Sequence, residues 1–273
     1  MKKIYIIGNP VKNSISPTIF NYWFKKYKIK CVYKKNKMTE ISLKKNIKKI
    51  LKSKDCLGAN ITIPFKEKVQ KILDKKDSHA KKIGAINCIY KKDNKLIGTN
   101  TDWEGYLKSI KKIKKSVGFK KKHAIIIGYG GAAKAIIYAL KKYGFNRVLV
   151  FIRNKTKIKK TTKNNKKIKF LEIKDINKHI SSASLIINTT PVRKLKDLGI
   201  EINLVRKNTI ISDINYTPHK TELLKTALTK KLKITYGVEM LIYQAVPAFK
   251  LWFGFTPMVT NGLIKNCIKE IKQ

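Results

Sequence analysis

Long apolar runs are absent from this chain of 273 residues, and no stretch approaches the roughly 20 uninterrupted apolar residues of a membrane-spanning helix. The apolar run at residues 4–7 is too short for the core of a signal peptide, and no small-residue cleavage site follows it. We therefore expect a first β-strand there, no membrane partner and a cytoplasmic location.

Cysteine and histidine are also scarce. No two of the four cysteines have the spacing of metal ligands, and a chain of this size without an export signal is not expected to use a disulfide framework. We therefore expect buried or incidental thiols at Cys31, Cys56, Cys88 and Cys267. The four histidines are scattered, so the sequence gives no sign of a metal site.

Acidic residues number only 16 against 63 lysines and arginines, which gives a formal net charge of +47. Such a charge favours a polyanionic partner, but only four of the basic residues are arginine, the residue that suits bidentate contacts to phosphate and guanine. The lysines run through nearly every segment, and Lys, Ile and Asn all have A+T-rich codons. We therefore infer that mutational bias placed the many lysines on solvated surfaces. Nonspecific nucleic-acid binding at low salt is expected as a side effect, and no specific nucleic-acid partner is expected.

Strand and helix patterns alternate along the chain, which favours an α/β fold. In the first part we predict strands at residues 4–7, 31–33, 57–63, 85–90 and 95–98, and helices at residues 17–26, 41–51 and from about Phe65. Asp102 is predicted to cap a helix through about Lys112, because a short carboxylate accepts hydrogen bonds from free N–H groups. The later part predicts strands at residues 124–127, 147–152, 185–188, 209–214 and 233–236, a helix at residues 132–143, and mostly helix from Met240.

A glycine-rich turn follows the strand at residues 124–127. Gly128, Gly130 and Ala133 match the G-x-G-x-x-G/A pattern, in which the first glycine makes a tight turn, the second lets the backbone approach a pyrophosphate, and the third position packs helix on strand. The helix start at Gly131 and Ala132 offers free N–H groups to phosphates. The pattern predicts a dinucleotide site, the alternative being a tight turn without a ligand.

The end of the next strand indicates which dinucleotide binds. NAD-binding units usually carry an acid there, but this strand continues as Arg153, Asn154, Lys155 and Thr156, with Lys159 further on. Because lysine occurs everywhere in this chain, the missing acid is better evidence for NADP than the cations are.

Three further segments place polar side chains where a generic core would not. The first contains Ser14 and Ser16 at a predicted helix start, where two hydroxyls suit a carboxylate, although simple capping by one serine is the alternative. The other two run through residues 58–67, and through residues 85–87 together with residues 98–102. With the C-terminal residues 237–252, these segments resemble the shikimate dehydrogenase family over essentially the whole chain, in its order and spacing.

The resemblance implies a two-domain α/β enzyme with its active site in the cleft between the domains. The expected N-terminal α/β substrate domain covers residues 1–102 plus 238–273, with C-terminal helices that return to it, and a Rossmann-type NADP-binding domain covers residues 103–237. The implied reaction is the reversible NADPH-dependent reduction of 3-dehydroshikimate to shikimate, in the pathway to chorismate and the aromatic amino acids. We expect a monomer or a homodimer.

The resemblance also implies residue roles. Ser14 and Ser16 would hold the substrate carboxylate, while Lys66, with Asp102 beside it, would stand at the reacting oxygen as proton donor or as stabilising cation. The remaining substrate-binding residues would be Thr62, Asn87, Asp102, Tyr216 and Gln244. The cofactor-binding residues would be Gly128, Gly130, Gly131, Ala132, Asn154, Lys155, Thr156, Lys159, Gly237 and Met240.

Two positions depart from the family pattern. Phe20 stands where the family often has histidine, so we expect it to pack and leave it out of the site. Lys155 replaces the usual arginine and lacks its forked contact to phosphate, so we expect the preference for NADP to be kept but weakened. Two alternatives stay open, namely a quinate or quinate/shikimate dehydrogenase that uses NAD, and a basic nucleic-acid-binding protein.

Overall fold

A computed structural model describes residues 1–114, 122–154 and 167–272, apart from the side chains at positions 112 and 114. The chain divides into two compact units, Met1–Gly105 with Leu241–Ile271, and Tyr106–Met240. Among the described residues, no helix is both long enough and apolar enough to cross a membrane.

The first unit contains a mixed six-stranded sheet in the order β2-β1-β3-β5-β6-β4. Its strands are β1 (Lys2–Gly8), β2 (Cys31–Lys37), β3 (Cys56–Ile61), β4 (Lys75–Lys76), β5 (Cys88–Lys92) and β6 (Lys95–Thr99). Strand β1 runs parallel to β2 and β3, whereas β5 is antiparallel to both β3 and β6. The ends of β1, β3 and β6 and the start of β5 therefore lie at one edge of the sheet.

Helices cover this sheet with their apolar faces. They are α1 (Ser16–Lys26), α2 (Glu40–Lys52) and α3 (Ser78–Ile83). The next helix is α4 (Asp102–Lys114), in which the division between the units falls. Helix α2 buries Leu43, Ile47 and Leu51, which are spaced four residues apart and so share one face. Thr39 and Ser42 form a capping box that satisfies N–H groups at its start.

The C-terminal helices are α8 (Gly237–Phe253) and α9 (Asn261–Lys272). From Leu241 onward α8 belongs to the first unit, where Trp252 Nε1 donates a hydrogen bond of 3.0 Å to the Ile89 carbonyl of β5. Phe249 is fully buried and packs edge-on against Trp23 of α1. The predicted return of the C-terminal helices to the N-terminal domain is confirmed.

We expect Gly58→Ala to lower the free energy of unfolding of the first unit by about 1–3 kcal/mol, because a methyl group there would overlap Ile89 O and Trp252 Nε1 and overpack the core. All three tryptophans lie in this unit, so denaturant unfolding followed by tryptophan fluorescence measures it directly. Gly262→Ala is the matched control, since its methyl group meets mainly the end of the Tyr22 side chain and helical alanine is favourable. Equal effects of the two substitutions would contradict the packing argument.

The second unit contains a wholly parallel sheet in the order β9-β8-β7-β10-β11-β12. Its strands are β7 (His123–Ile127), β8 (Arg147–Ile152), β9 (Ile168–Glu172), β10 (Leu185–Asn188), β11 (Ile210–Asp213) and β12 (Lys233–Tyr236). The helices described within it are α5 (Gly131–Lys142), α6 (Leu195–Leu198) and α7 (Glu222–Thr229). Numbered from β7 along the chain, the sheet order is 3-2-1-4-5-6, the order of the Rossmann fold.

The expected α/β fold class is confirmed, but local predictions were wrong in places. No α-helix begins at Phe65; the chain makes turns and then a 3-10 helix at Lys68–Lys71, because Phe65 turns into the core and its N–H bonds back to the Thr62 carbonyl. The short β4 and α3 were not predicted, nor was β9. All four cysteines are buried and unbridged, as expected, and burial raises the pKa of the Cys31 thiol to about 11.

Candidate active site

Lys66 and Asp102 meet at the edge where β3 and β6 end. Lys66 lies in the turn after β3, held by a 2.7 Å hydrogen bond from the Ile86 N–H to its carbonyl, and Asp102 is the first residue of α4. Lys66 Nζ is 2.6 Å from Asp102 Oδ2, and the two side chains are only 15% and 6% exposed. Lys66 is therefore a largely enclosed, paired cation and not one of the solvated lysines of the surface.

Asn87 connects this pair to a group of amide and hydroxyl side chains. Its Nδ2 lies 2.8 Å from Asp102 Oδ1, 2.9 Å from Thr101 Oγ1 and 3.0 Å from Gln244 Oε1. Its Oδ1 accepts a 2.7 Å hydrogen bond from the Thr101 N–H. Because all four residues are at least 94% buried, these contacts hold the Asp102 carboxylate in one orientation toward Lys66.

Asp102 does not act as the helix cap that its sequence position predicts. Its carboxylate is bound by Lys66 and Asn87, and its own N–H donates to Asn100 Oδ1 at 3.0 Å. The largely enclosed Lys66 ammonium and the buried Asn87 amide bind the carboxylate in place of the helix N–H groups that were expected to do so. That prediction is therefore wrong, and the correction places Asp102 in the polar cluster.

Ser14 lies in the segment between β1 and α1, and Ser16 is the first residue of α1. Their Oγ atoms are 3.2 Å apart, and the Ser16 N–H donates to Ser14 Oγ at 3.3 Å. The cap position of α1 is Ile15, which has no side-chain capping hydrogen bond. Capping by a serine, the alternative considered from the sequence, is therefore not what places the two hydroxyls together.

Thr62 directly follows β3, and Phe20 lies in α1. The Thr62 N–H donates to the Ile7 carbonyl at 2.9 Å, and its methyl group fills the space that a Cβ on Gly8 would need. Phe20 is fully buried and stacks on Tyr33, with ring centroids 4.5 Å apart. The prediction that Phe20 packs instead of joining the polar site is confirmed.

Sequence reasoning missed residues that hold this cluster in place by hydrogen bonds to its members. Tyr33 donates from its hydroxyl to Asn60 Oδ1 at 2.7 Å, and Asn60 Nδ2 donates to the Asn87 carbonyl at 3.0 Å. Thr101 and Asn100 hold Asn87 and Asp102, as described above. Asn60, Asn100 and Thr101 stand in the polar segments noticed in the sequence, whereas nothing distinguishes Tyr33 from an ordinary core tyrosine.

In the second unit, the glycine turn lies at the carboxyl end of β7, beside the point where the strand order reverses. Gly128 has φ +94°, a backbone conformation that favours glycine, and its N–H donates to the Phe151 carbonyl of β8 at 2.8 Å. Gly130 is the N-cap of α5 and has no side-chain cap, and a Cβ built on it would meet nothing within 4 Å. The free N–H groups at the start of α5, at Gly131 and Ala132, thus border open space, while Ala133 is fully buried.

A second polar cluster, not predicted from the sequence, surrounds Asp213 at the end of β11. Its carboxylate accepts hydrogen bonds from the Asn215 N–H at 2.9 Å, from Thr221 Oγ1 at 2.8 Å and from Asn188 Nδ2 at 3.2 Å. Asn188 also binds Thr190, whose methyl group lies against the Gly128 turn. Burial raises the pKa of the Asp213 carboxyl above its usual value, although its hydrogen bonds oppose that shift.

The other residues expected in the sites are placed as follows. Asn154 is exposed just after β8, and Tyr216 is half-buried in the segment after β11. Gly237 starts α8 so close to the carbonyls of Ile214 and Asn215 that a Cβ would overlap both, and Met240 is buried one turn later. Lys155, Thr156 and Lys159 lie outside the described residues. Among the residues that are described, no group of three or more His, Cys, Asp or Glu could hold a metal ion.

The strand order and the glycine turn define the second unit as a Rossmann-type dinucleotide-binding domain. Models of three domains match the chain: the shikimate dehydrogenase substrate binding domain over residues 6–89, shikimate / quinate 5-dehydrogenase over residues 110–209, and the shikimate 5'-dehydrogenase C-terminal domain over residues 237–259.

Individual relatives match along nearly the whole chain. A protein of Pelagibacter ubique named shikimate dehydrogenase (NADP(+)) is 38% identical over 97% of this chain and 98% of its own. The crystal structure of shikimate dehydrogenase from Aquifex aeolicus, 32% identical, covers 98% of each chain with a TM-score of 0.85. Shikimate 5-dehydrogenase from Thermus thermophilus, solved with NADP(H) and shikimate, is 26% identical and covers 100% of this chain and 99% of its own with a TM-score of 0.83. The chain belongs to the shikimate dehydrogenase family.

Proposed function

We propose that this protein is an NADP-dependent shikimate dehydrogenase, which reversibly reduces 3-dehydroshikimate to shikimate in the pathway to chorismate and the aromatic amino acids. The observation that supports this most strongly is the largely enclosed Lys66–Asp102 pair, which lies beside amide and hydroxyl groups at one edge of the first sheet. A hydroxylated ring has many hydrogen-bonding groups, so a cluster of amide, hydroxyl and charged side chains suits it as a ligand. The solved relative that holds both NADP(H) and shikimate supports the same pair of ligands here.

The substrate would be held by two groups of residues. Ser14 and Ser16 would bind its carboxylate, since their hydroxyls lie side by side and Ser16 is 98% buried. Hydrogen bonds to an ionised group are stronger than those between neutral groups, so two hydroxyls fix that end of the ring. The ring hydroxyls would contact Thr62, Asn87, Asp102, Tyr216 and Gln244.

Lys66 would act at the reacting oxygen, as proton donor or as stabilising cation. Its ammonium donates a hydrogen bond to the oxygen as negative charge develops there, and either transfers a proton or stabilises the charge. Asp102 orients the ammonium through the 2.6 Å contact, and Asn87 fixes Asp102 in turn. When bound, NADPH supplies the hydride.

The second unit fits NADP on its own geometry. The uncapped start of α5 presents N–H groups and the positive end of a helix dipole, and the absence of a Cβ at Gly130 leaves room for a pyrophosphate. The end of β8 has no acid to bind a 2′-hydroxyl, which favours a 2′-phosphate. The other residues proposed for the cofactor are Gly128, Gly131, Ala132, Asn154, Lys155, Thr156, Lys159, Gly237 and Met240.

The two alternatives are not favoured. The Pelagibacter ubique relative is named for shikimate and NADP, and neither quinate nor NAD appears in that name. The nucleic-acid alternative was supported only by the net charge. The polar cluster argues against it, because a small, enclosed group of hydrogen-bonding side chains suits a small ligand. A cytoplasmic location and a monomeric or homodimeric state stay predictions.

The function is tested by absorbance at 340 nm, with shikimate or quinate and with NADP or NAD in parallel. We expect NADP reduction with shikimate to be the preferred reaction. Preferred turnover of quinate with NAD would transfer the chain to the alternative activity. Absence of turnover from folded protein would contradict the proposal.

Ser16→Ala is expected to raise KM for shikimate by about 10- to 100-fold and to change kcat little, because it removes a hydrogen bond to an ionised group that is present before and during the reaction. Steady-state kinetics at saturating NADP measure both constants. Ser42→Ala is the control, since Ser42 belongs to the capping box of α2 and is not among the residues proposed to bind the substrate. A fall in kcat with unchanged KM would contradict the carboxylate role.

A further inference from the structure

Asp213 is a buried acid without a cation beside it. Among the described residues only two acids are buried, Asp102 and Asp213, and Asp102 is paired with Lys66. Asp213 is 1% exposed and, within the described part of the chain, forms no ion pair. Because burying an unpaired charge is costly, a carboxylate without a cation is unusual in a chain with 63 lysines and arginines.

The neighbours of Asp213 indicate that its carboxylate is ionised. Asn188 Oδ1 accepts from the Thr190 N–H at 3.0 Å, so the amide nitrogen of Asn188 is the atom that faces Asp213. The Thr221 hydroxyl accepts from a helix N–H as the N-cap of α7, so its own hydrogen is donated to Asp213. Asn215 donates twice, from its N–H and from Nδ2, both at 2.9 Å. These are all donors, and donors stabilise the charged form of a carboxylate.

Asp213 is the last residue of β11, at the edge of the second sheet where parallel strands end. In the Rossmann fold each half of the sheet binds one mononucleotide at the carboxyl ends of its strands. The glycine turn after β7 and the end of β8 belong to the adenosine half, so the ends of β10, β11 and β12 form the half that takes the nicotinamide.

The Asp213 cluster is in contact with two segments proposed to bind the cofactor. Asn215 Nδ2 donates to the Thr190 carbonyl at 2.8 Å, and the Thr190 methyl group lies 2.8 Å from the position of a Cβ on Gly128 in the glycine turn. The Asn215 carbonyl lies 2.6 Å from the position of a Cβ on Gly237, where α8 begins. The cluster around Asp213 therefore fixes loops that border the cofactor site.

We propose that the Asp213 carboxylate is a fixed negative charge in the nicotinamide half of the cofactor site, and that it favours the oxidised cofactor over the reduced one. The nicotinamide ring is a cation in NADP⁺ and neutral in NADPH, so a poorly screened carboxylate stabilises only the oxidised form. On the enzyme this charge favours hydride transfer from NADPH to the substrate over the reverse reaction. The inference rests on the proposed function, because it concerns the cofactor named there.

The test compares the dissociation constants of NADP⁺ and NADPH by calorimetry, so it needs no turnover. Asp213→Asn removes the charge and keeps the shape. We expect it to weaken NADP⁺ about 5- to 30-fold more than NADPH, the size expected for opposite charges within roughly 15 Å at an effective dielectric constant of about 20. Asp213→Ser is a second neutral variant, whose hydroxyl accepts from the same donors, and it should shift the ratio equally.

Thr221→Val is the matched control. It removes one hydrogen bond from the cluster and leaves the charge of Asp213, so it should weaken NADP⁺ and NADPH by the same factor. Circular dichroism and the unfolding midpoint of each variant show that it is folded before binding is measured.

Equal effects of the neutral variants on NADP⁺ and NADPH would overturn the inference, since Asp213 would then act only through the shape of the loops. A ratio shifted as much by Thr221→Val as by Asp213→Asn would overturn it as well. A ratio that depends on Asp213 in a protein that does not oxidise shikimate would support the role of its charge and contradict the proposed function alone. An unchanged ratio in a protein that does oxidise shikimate with NADP would contradict this inference alone.

Discussion

Replacing Lys66 with alanine is expected to lower kcat for shikimate oxidation by about 100- to 10,000-fold, the range that a positioned proton-transfer group contributes. The structure gives the reason, since Lys66 Nζ lies 2.6 Å from Asp102 and both side chains are largely enclosed. Alanine removes the ammonium that would act at the reacting oxygen and leaves the Asp102 carboxylate without its cation. The rate is measured at 340 nm with both substrates saturating.

Lys68→Ala provides the control for this substitution. Lys68 lies two residues further along, is 45% exposed and pairs with Glu40 on the surface. Its replacement removes the same charge from the same segment and should leave kcat within twofold. Because alanine at position 66 strands a buried carboxylate, the unfolding midpoint and NADP binding are measured as well. A folded, NADP-binding Lys66→Ala protein with near-normal kcat would contradict the assignment of Lys66.

Gly130→Asp is expected to weaken NADP binding by about 100-fold or more while leaving the protein folded. A carboxylate there would occupy the space proposed for the pyrophosphate, and juxtaposed like charges cost several kcal/mol. The backbone at Gly130 is extended, with φ −95° and ψ −171°, and a Cβ meets nothing within 4 Å, so the protein accepts the side chain. Aspartate is also a good N-cap, so the helix α5 should gain slight stability.

Gly130→Asp is expected to weaken NADP binding and to raise stability slightly, and these opposite directions distinguish a local effect on the ligand from general damage to the fold. Calorimetry measures NADP binding, and thermal unfolding followed by circular dichroism measures stability. Gly130→Ala is the graded control, which adds a methyl group without charge and should weaken NADP much less than aspartate does. If Gly130→Asp bound NADP as well as the parent protein, the pyrophosphate would not lie at the start of α5.

Local patterns predicted most of the strands and helices but not every boundary. Strand β12 was predicted at its observed residues, because polar and apolar residues alternate there along the chain. The glycine turn was predicted from Gly128 and Gly130, since a positive φ and an open backbone require glycine at fixed spacing. The helix expected from Phe65 is absent, since the Phe65 N–H bonds to the Thr62 carbonyl three residues back and the chain continues as turns into a 3-10 helix at Lys68–Lys71.

The sequence by itself determined the α/β alternation, the dinucleotide turn and the absence of an acid after β8, since each depends on residues close together in the chain. Only the tertiary structure decided which polar residues work together. Lys66 and Asp102 are 36 residues apart, and Asn87 and Gln244 are 157 apart. Composition and periodicity do not distinguish Lys66 from the other lysines, and in the sequence only the resemblance of its segment to the family pointed to it. In the structure, the meeting of strand ends at one edge of the sheet places Lys66 beside the Asp102 carboxylate and encloses both side chains.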